Sequence, residues 1–111
     1  MLPSVLLLDD EQEVLNALQR VLRVDYQVHA FTKAEAAIEF FQRSPTQIVI
    51  SDMKMPKING AEFLSHIVKI NSRSKRVVLT GYADSELAKQ AINEGKISAY
   101  LNKPWDNNEL K

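Results

Sequence analysis

Cysteine is absent from the 111 residues, which excludes disulfides and thiolate-held metals and is compatible with an intracellular setting. Neither sign of charge is in excess. With 14 basic and 14 acidic residues the formal net charge is +0, so no net field favours nucleic acid or an anionic membrane. There are only 3 glycines, and no Gly/Ser linker, low-complexity tract or internal repeat. No apolar run approaches the ~20 residues that span a bilayer, and Met1-Leu2-Pro3-Ser4 lacks a signal peptide's basic n-region. The expectation is a cytoplasmic, soluble protein with no direct contact to nucleic acid or membrane. The 111 residues suit one domain, and 45% hydrophobic with 25% charged residues is ordinary for a globular chain.

What the chain does have is a regular alternation of strand-like and helix-like segments. Val5-Leu6-Leu7-Leu8 is a continuous apolar run, as buried parallel strands are. Val14, Leu15, Leu18, Val21 and Leu22 then fall at helical spacing, with Asp10 and Glu13 placed as N-cap and N3. Tyr26 to Phe31 reads as a second strand. Thr32-Lys33-Ala34-Glu35 has capping-box spacing ahead of a helix carrying Ala37, Ile38 and Phe41, which Ser44-Pro45 ends. Ile48-Val49-Ile50-Ser51 is the third strand. Met55-Pro56 and Asn59-Gly60 punctuate a loop before a helix with Phe63, Leu64, Ile67 and Val68. A fourth strand runs from Lys75 to Thr80, followed by a helix through Leu87, Ala88, Ala91 and Ile92 with Gly95 placed as its C′ residue. Ile97 to Leu101 is the fifth strand, and Asp106 with Glu109 marks a helix start close to Lys111. Such βα alternation with short connections predicts a doubly wound three-layer α/β sandwich, a parallel sheet with helices on both sides.

Charged and hydroxyl residues stand where the apolar strands run out. Asp9 and Asp10 close the first run, Asp52 the third, Thr80 the fourth and Lys103 the fifth. In open α/β sheets the functional crevice lies at the carboxyl ends of the strands. Three carboxylates, a hydroxyl and an ammonium are thus directed to one spot. Clustered carboxylates repel one another unless a cation intervenes, and Mg²⁺ suits a site with few carboxylates, several waters and phosphate oxygens. A carboxylate is also a competent nucleophile toward phosphorus. Asp52, followed by a Pro/Gly-punctuated loop, is the best placed for that part.

Those residues, in that order, carry a family resemblance over almost the whole chain. Asp9-Asp10, Asp52-Met53-Lys54-Met55-Pro56 with Gly60, Thr80-Gly81, and Tyr100-Leu101-Asn102-Lys103-Pro104 together resemble a two-component response regulator receiver domain of the chemotaxis-receiver type. The resemblance implies a flavodoxin-like five-stranded order 2-1-3-4-5. It implies that Asp52 accepts a phosphoryl group from a histidine kinase or phosphotransfer protein. Asp10 would then be a direct Mg²⁺ ligand, with Asp9 acting mainly through water, and the Lys54 backbone carbonyl would complete the protein ligands. Lys103 would pair with phosphoryl oxygens, Thr80 would move to bond one of them, and Tyr100 would be the switch aromatic that turns inward as Thr80 moves. The Lys103-Pro104 bond fits the family's cis peptide. The side chains of Lys54 and Tyr82, each two residues beyond a site residue, border the path of a hydrolytic water and would tune the lifetime of the phosphorylated state.

Two other readings compete. An aspartate-nucleophile phosphohydrolase wants a second Asp two residues after its nucleophile, where this chain has Lys54. A phosphorylation-independent interaction module would use the fold for docking only, but the intact Asp9, Asp10, Asp52, Thr80 and Lys103 set argues against it. His29, His66, Trp105 and the Arg73–Arg76 cluster are assigned no chemistry. Residues 1–111 are expected to be one receiver domain from the N-terminal part of a longer protein, its effector covalently linked or separate. Gly81-Tyr82-Ala83-Asp84 and Lys103-Pro104-Trp105 are similar to receivers attached to cyclic-dinucleotide or ATPase-type effectors. The last helix reads as truncated. Were it missing from the molecule, an apolar patch beside the first helix would need a second copy to cover it, giving a homodimer.

Overall fold

The computed structural model of the chain describes residues 2–52, 60–71, 73–80 and 99–102. In chain order the elements are β1 (Ser4–Leu8), α1 (Gln12–Leu22), β2 (Gln27–Phe31), α2 (Ala34–Arg43), β3 (Ile48–Asp52), α3 (Gly60–Ile70), β4 (Lys75–Thr80) and β5 (Ala99–Asn102). The strands pair in parallel in the order β2-β1-β3-β4-β5. This is the doubly wound arrangement expected from the alternation. The expected helix through Leu87–Ile92, its Gly95 terminus, the Lys103-Pro104 bond and the helix start at Asp106 lie outside the described residues.

The continuous apolar runs are explained by two covered faces. Leu6 and Leu8 join Val49 and Val78 against Ala37 and Phe41 of α2 and Phe63, Leu64 and Ile67 of α3. Val5 and Leu7 lie on the opposite face with Ile50, Val77 and Leu79, against Leu15, Leu18 and Leu22 of α1. Alternate residues of one strand therefore enter different cores, and a polar residue at either parity of β1 would be buried. Each buried Leu, Val, Ile or Phe side chain contributes about 1.5–3 kcal/mol by leaving water. At the outer edge His29 of β2 sets its ring 4.7 Å from that of Phe40, and Phe31 lies 5.4 Å from the same ring.

At the amino-terminal end of the sheet, buried hydroxyls tie strand entries together. Ser74 Oγ donates to the Thr46 carbonyl at 2.7 Å, and Thr46 Oγ1 donates to the Ile48 carbonyl at 2.8 Å. Both side chains are almost fully buried, and these bonds satisfy them.

Both expected helix N-caps that fall among the described residues are corrected. The cap position of α1 is Glu11 rather than Asp10, and that of α2 is Lys33 rather than Thr32; neither makes a side-chain capping bond. Glu13 and Glu35 do sit in the first turns, where a carboxylate complements the helix dipole. The reason at α1 is a competing use of the acidic pair. Asp9 Oδ1 accepts the Glu11 backbone N–H at 2.9 Å, so the turn closes one residue later than the spacing predicts. Tyr26 also falls outside β2, because its N–H donates to the Leu22 carbonyl at 2.9 Å and completes the turn after α1. Among the described residues no helix is long and apolar enough to cross a membrane.

Candidate functional site

The register of the central strands sets the site. Leu8 of β1 is level with Ser51 of β3, and Asp52 is level with Leu79 of β4. Asp9, the residue after β1, therefore emerges beside Asp52, the last residue of β3. Thr80 ends β4 opposite Asn102, the last residue of β5. All four strand ends face the same side of the molecule, as a parallel sheet requires.

Asp9 is held from both ends. Its backbone N–H donates to the Phe31 carbonyl at 3.2 Å, and its carboxylate accepts the Glu11 N–H. Its side chain is fully buried at 0% exposure, and Asp52 is 7% exposed. Asp10 is exposed. One carboxylate oxygen from each of Asp9, Asp10 and Asp52 lies within 4.8 Å of the others. Behind them, the Ser51 hydroxyl donates to the Asp52 carbonyl at 2.9 Å in a buried setting.

Burying carboxylates this close is unfavourable unless positive charge compensates. The donor set is oxygen only, the chemistry that suits a hard divalent cation rather than zinc or copper. The three aspartates could hold such an ion.

The site residues read from sequence divide as follows. Asp9, Asp10 and Asp52 are brought together. The backbones of Thr80 and Tyr100 lie at the carboxyl end of β4 and within β5, with Tyr100 level with Val78. Lys54, Tyr82 and Lys103 lie outside the described residues. Two features escape a reading of the sequence. Asp9 organises the turn into α1, a task assigned there to Asp10, and Ser51 bonds the backbone of Asp52. The signal for Ser51 is a small polar residue between the aliphatic run Ile48-Val49-Ile50 and Asp52, the strand's last residue.

A family model described as the response regulator receiver domain matches residues 5–111. The chain belongs to the response regulator receiver domain family. It is 34% identical over 102 residues to the hydrogenase transcriptional regulatory protein HoxA of Cupriavidus necator, covering 92% of this chain and 21% of that protein. A response regulator receiver domain protein from Clostridium thermocellum superposes with a TM-score of 0.92 at 32% identity, covering 98% of this chain and 88% of that one. The signal receiver domain of an HD domain-containing protein from Pseudomonas fluorescens Pf-5 gives a TM-score of 0.89 at 35% identity, covering 99% and 89%. The chain spans about a fifth of the length of the first curated relatives, 21% and 22%. Receiver domains are the signalling modules of two-component response regulators, and this chain is one of them. The phosphohydrolase and docking-only alternatives are not favoured.

Proposed function

We propose that this receiver domain is switched by phosphorylation of Asp52, with a histidine kinase or phosphotransfer protein as donor. The observation that carries the reading is the meeting of Asp9, Asp10 and Asp52 within 4.8 Å at the carboxyl end of the sheet. An Asp52 carboxylate oxygen attacks phosphorus, an O–P bond forms, and the P–N bond to the donor imidazole breaks. Transfer of this kind needs positioning and charge neutralisation more than covalent machinery.

Asp10, Asp52 and the Lys54 backbone carbonyl, with Asp9 through water, would hold Mg²⁺, which would supply positive charge to the phosphoryl oxygens. The indirect part for Asp9 fits its carboxylate, which already accepts the Glu11 N–H. Lys103 supplies the second positive charge to the phosphoryl group. Thr80 moves to bond a phosphoryl oxygen, and Tyr100 turns into the space it leaves. The step is self-catalysed, with no small-molecule metabolism.

The output belongs to an effector domain, covalently linked or separate, and residues 1–111 are the receiver that controls it. HoxA, a transcriptional regulatory protein, and the HD domain-containing protein mark two kinds of effector such a module serves. The test is intact mass after acetyl phosphate treatment. One phosphoryl group should appear with Mg²⁺, and none in EDTA or in Asp52→Asn. Labelling of Asp52→Asn, or labelling unchanged in EDTA, overturns the assignment.

A further inference from the structure

Ser51 is fully buried at 0% exposure, on a row where its lateral partners are Leu8 at 1% and Val78 at 0%. Both partners belong to the aliphatic core beneath α2 and α3. A residue chosen for packing alone on such a strand would be aliphatic and β-branched. A buried hydroxyl is unfavourable there unless it is bonded. Its bond goes to the carbonyl of the very next residue, Asp52, at 2.9 Å.

That carbonyl occupies a particular place in the sheet. The β1–β3 register ends at Leu8 and Ser51, so Asp52 lies one residue beyond the last pair on that side. The peptide that carries the Asp52 carbonyl follows a residue still paired with Leu79 on the β4 side. Its rotation changes the backbone angle ψ of Asp52, and the side-chain rotamers open to a residue depend on its φ and ψ. Holding the carbonyl therefore restricts the rotamers open to the Asp52 carboxylate.

We propose that Ser51 is a positioning residue for the acceptor, its hydroxyl clamping the Asp52 carbonyl so that the carboxylate stays aimed at Asp9 and Asp10. The proposal rests on the reading of Asp52 as the phosphoacceptor. Ser51 does not touch the phosphoryl group; it acts through the backbone of the residue that does.

The experiment compares the wild type with Ser51→Ala, Ser51→Thr and Ser51→Cys by three readouts. These are Mg²⁺ affinity by calorimetry, the rate of acetyl phosphate labelling by intact mass, and the urea midpoint. Displacements of a fraction of an ångström at a reacting group lower rates strongly, so Ser51→Ala should label about 3- to 30-fold more slowly and bind Mg²⁺ more weakly while remaining folded. Ser51→Thr, which keeps the hydroxyl, should restore both. Ser51→Cys, close in size with a weaker donor, should fall between and serves if the added methyl of Thr disrupts the core. A packing role would shift the urea midpoint and leave Mg²⁺ affinity and labelling rate unchanged; that result overturns the proposal. If the wild type itself takes no label, the acceptor reading fails. If the wild type labels on Asp52 and Ser51→Ala matches it in rate and Mg²⁺ affinity, this inference alone fails.

Discussion

Removing the charge of Asp10 should make the metal-free protein more stable, although it removes a residue the account needs. Asp10 is exposed, so Asp10→Asn alters charge with little effect on packing. Its carboxylate oxygen lies within 4.8 Å of those of Asp9 and Asp52. At that separation a like-charge pair repels by about 0.9 kcal/mol in water and about 3.5 kcal/mol at an effective dielectric of ~20. The exposure of Asp10 favours the lower figure, and two pairs then give roughly 1.7 kcal/mol. Asp9 and Asp52 have other interaction partners, which reduces the net gain to about 1 kcal/mol or a little more. In EDTA the urea midpoint should rise by about 0.3–1 M, given slopes of ~1–3 kcal/mol/M. Adding KCl to about 1 M should shrink the difference, because the screening length falls to ~3 Å, below the charge separation. Saturating Mg²⁺ should reverse the order, since an ion that binds only the native state stabilises it by about 2.7 kcal/mol at 100 times its Kd, and the variant has lost a ligand. Equal or lower stability of Asp10→Asn in EDTA, or a gain that survives both salt and Mg²⁺, would refute the electrostatic account of the site.

Phe41, buried at 0% exposure between α2 and the sheet, should lose about 3–5 kcal/mol of stability on truncation to Ala, read as a lower urea midpoint; a loss under about 1 kcal/mol would contradict the core assignment. Beryllofluoride with Mg²⁺ should shift NMR signals at Thr80, Tyr82, Ala83 and Tyr100, as a two-state population shift requires; changes confined to the neighbourhood of Asp52 would count against a propagated switch. Lys54→Asn and Tyr82→Ala should hasten loss of the phosphoryl group, measured by the decay of the phosphorylated mass. No change, or slower decay, would remove these residues from the timing of the signal.

The parts of the fold legible in sequence are those where burial is one-sided in its demands. β1, β3 and β4 are covered on both faces, so each carries a continuous aliphatic stretch, and their bounds agree with expectation to within a residue. β2 pairs on one side only, within the described sheet, and its residues are half-buried or exposed; its pattern is weaker, and the sequence puts its start one residue early, at Tyr26. Helix entries were read from spacing, but spacing does not say which of two adjacent aspartates the backbone recruits. The strand end takes Asp9 for the Glu11 N–H and leaves Asp10 outside the cap. The meeting of Asp9, Asp10 and Asp52 followed from the rule that site residues cluster at the carboxyl ends of parallel strands. Ser51 is not legible as a site residue, because a lone hydroxyl beside a strand's last residue has no pattern until its bond partner is known.

The central claim is that Asp52 receives the phosphoryl group. Borohydride reduces an acyl phosphate to the alcohol with release of phosphate, so a phosphorylated aspartate becomes homoserine. Wild-type protein treated with acetyl phosphate and Mg²⁺, reduced, digested and sequenced by mass spectrometry should contain homoserine at position 52. Asp9 and Asp10 should remain aspartate, and omission of acetyl phosphate or addition of EDTA should leave position 52 unmodified. Homoserine at position 9 or 10, or none anywhere after treatment that labels the intact protein, would contradict the account.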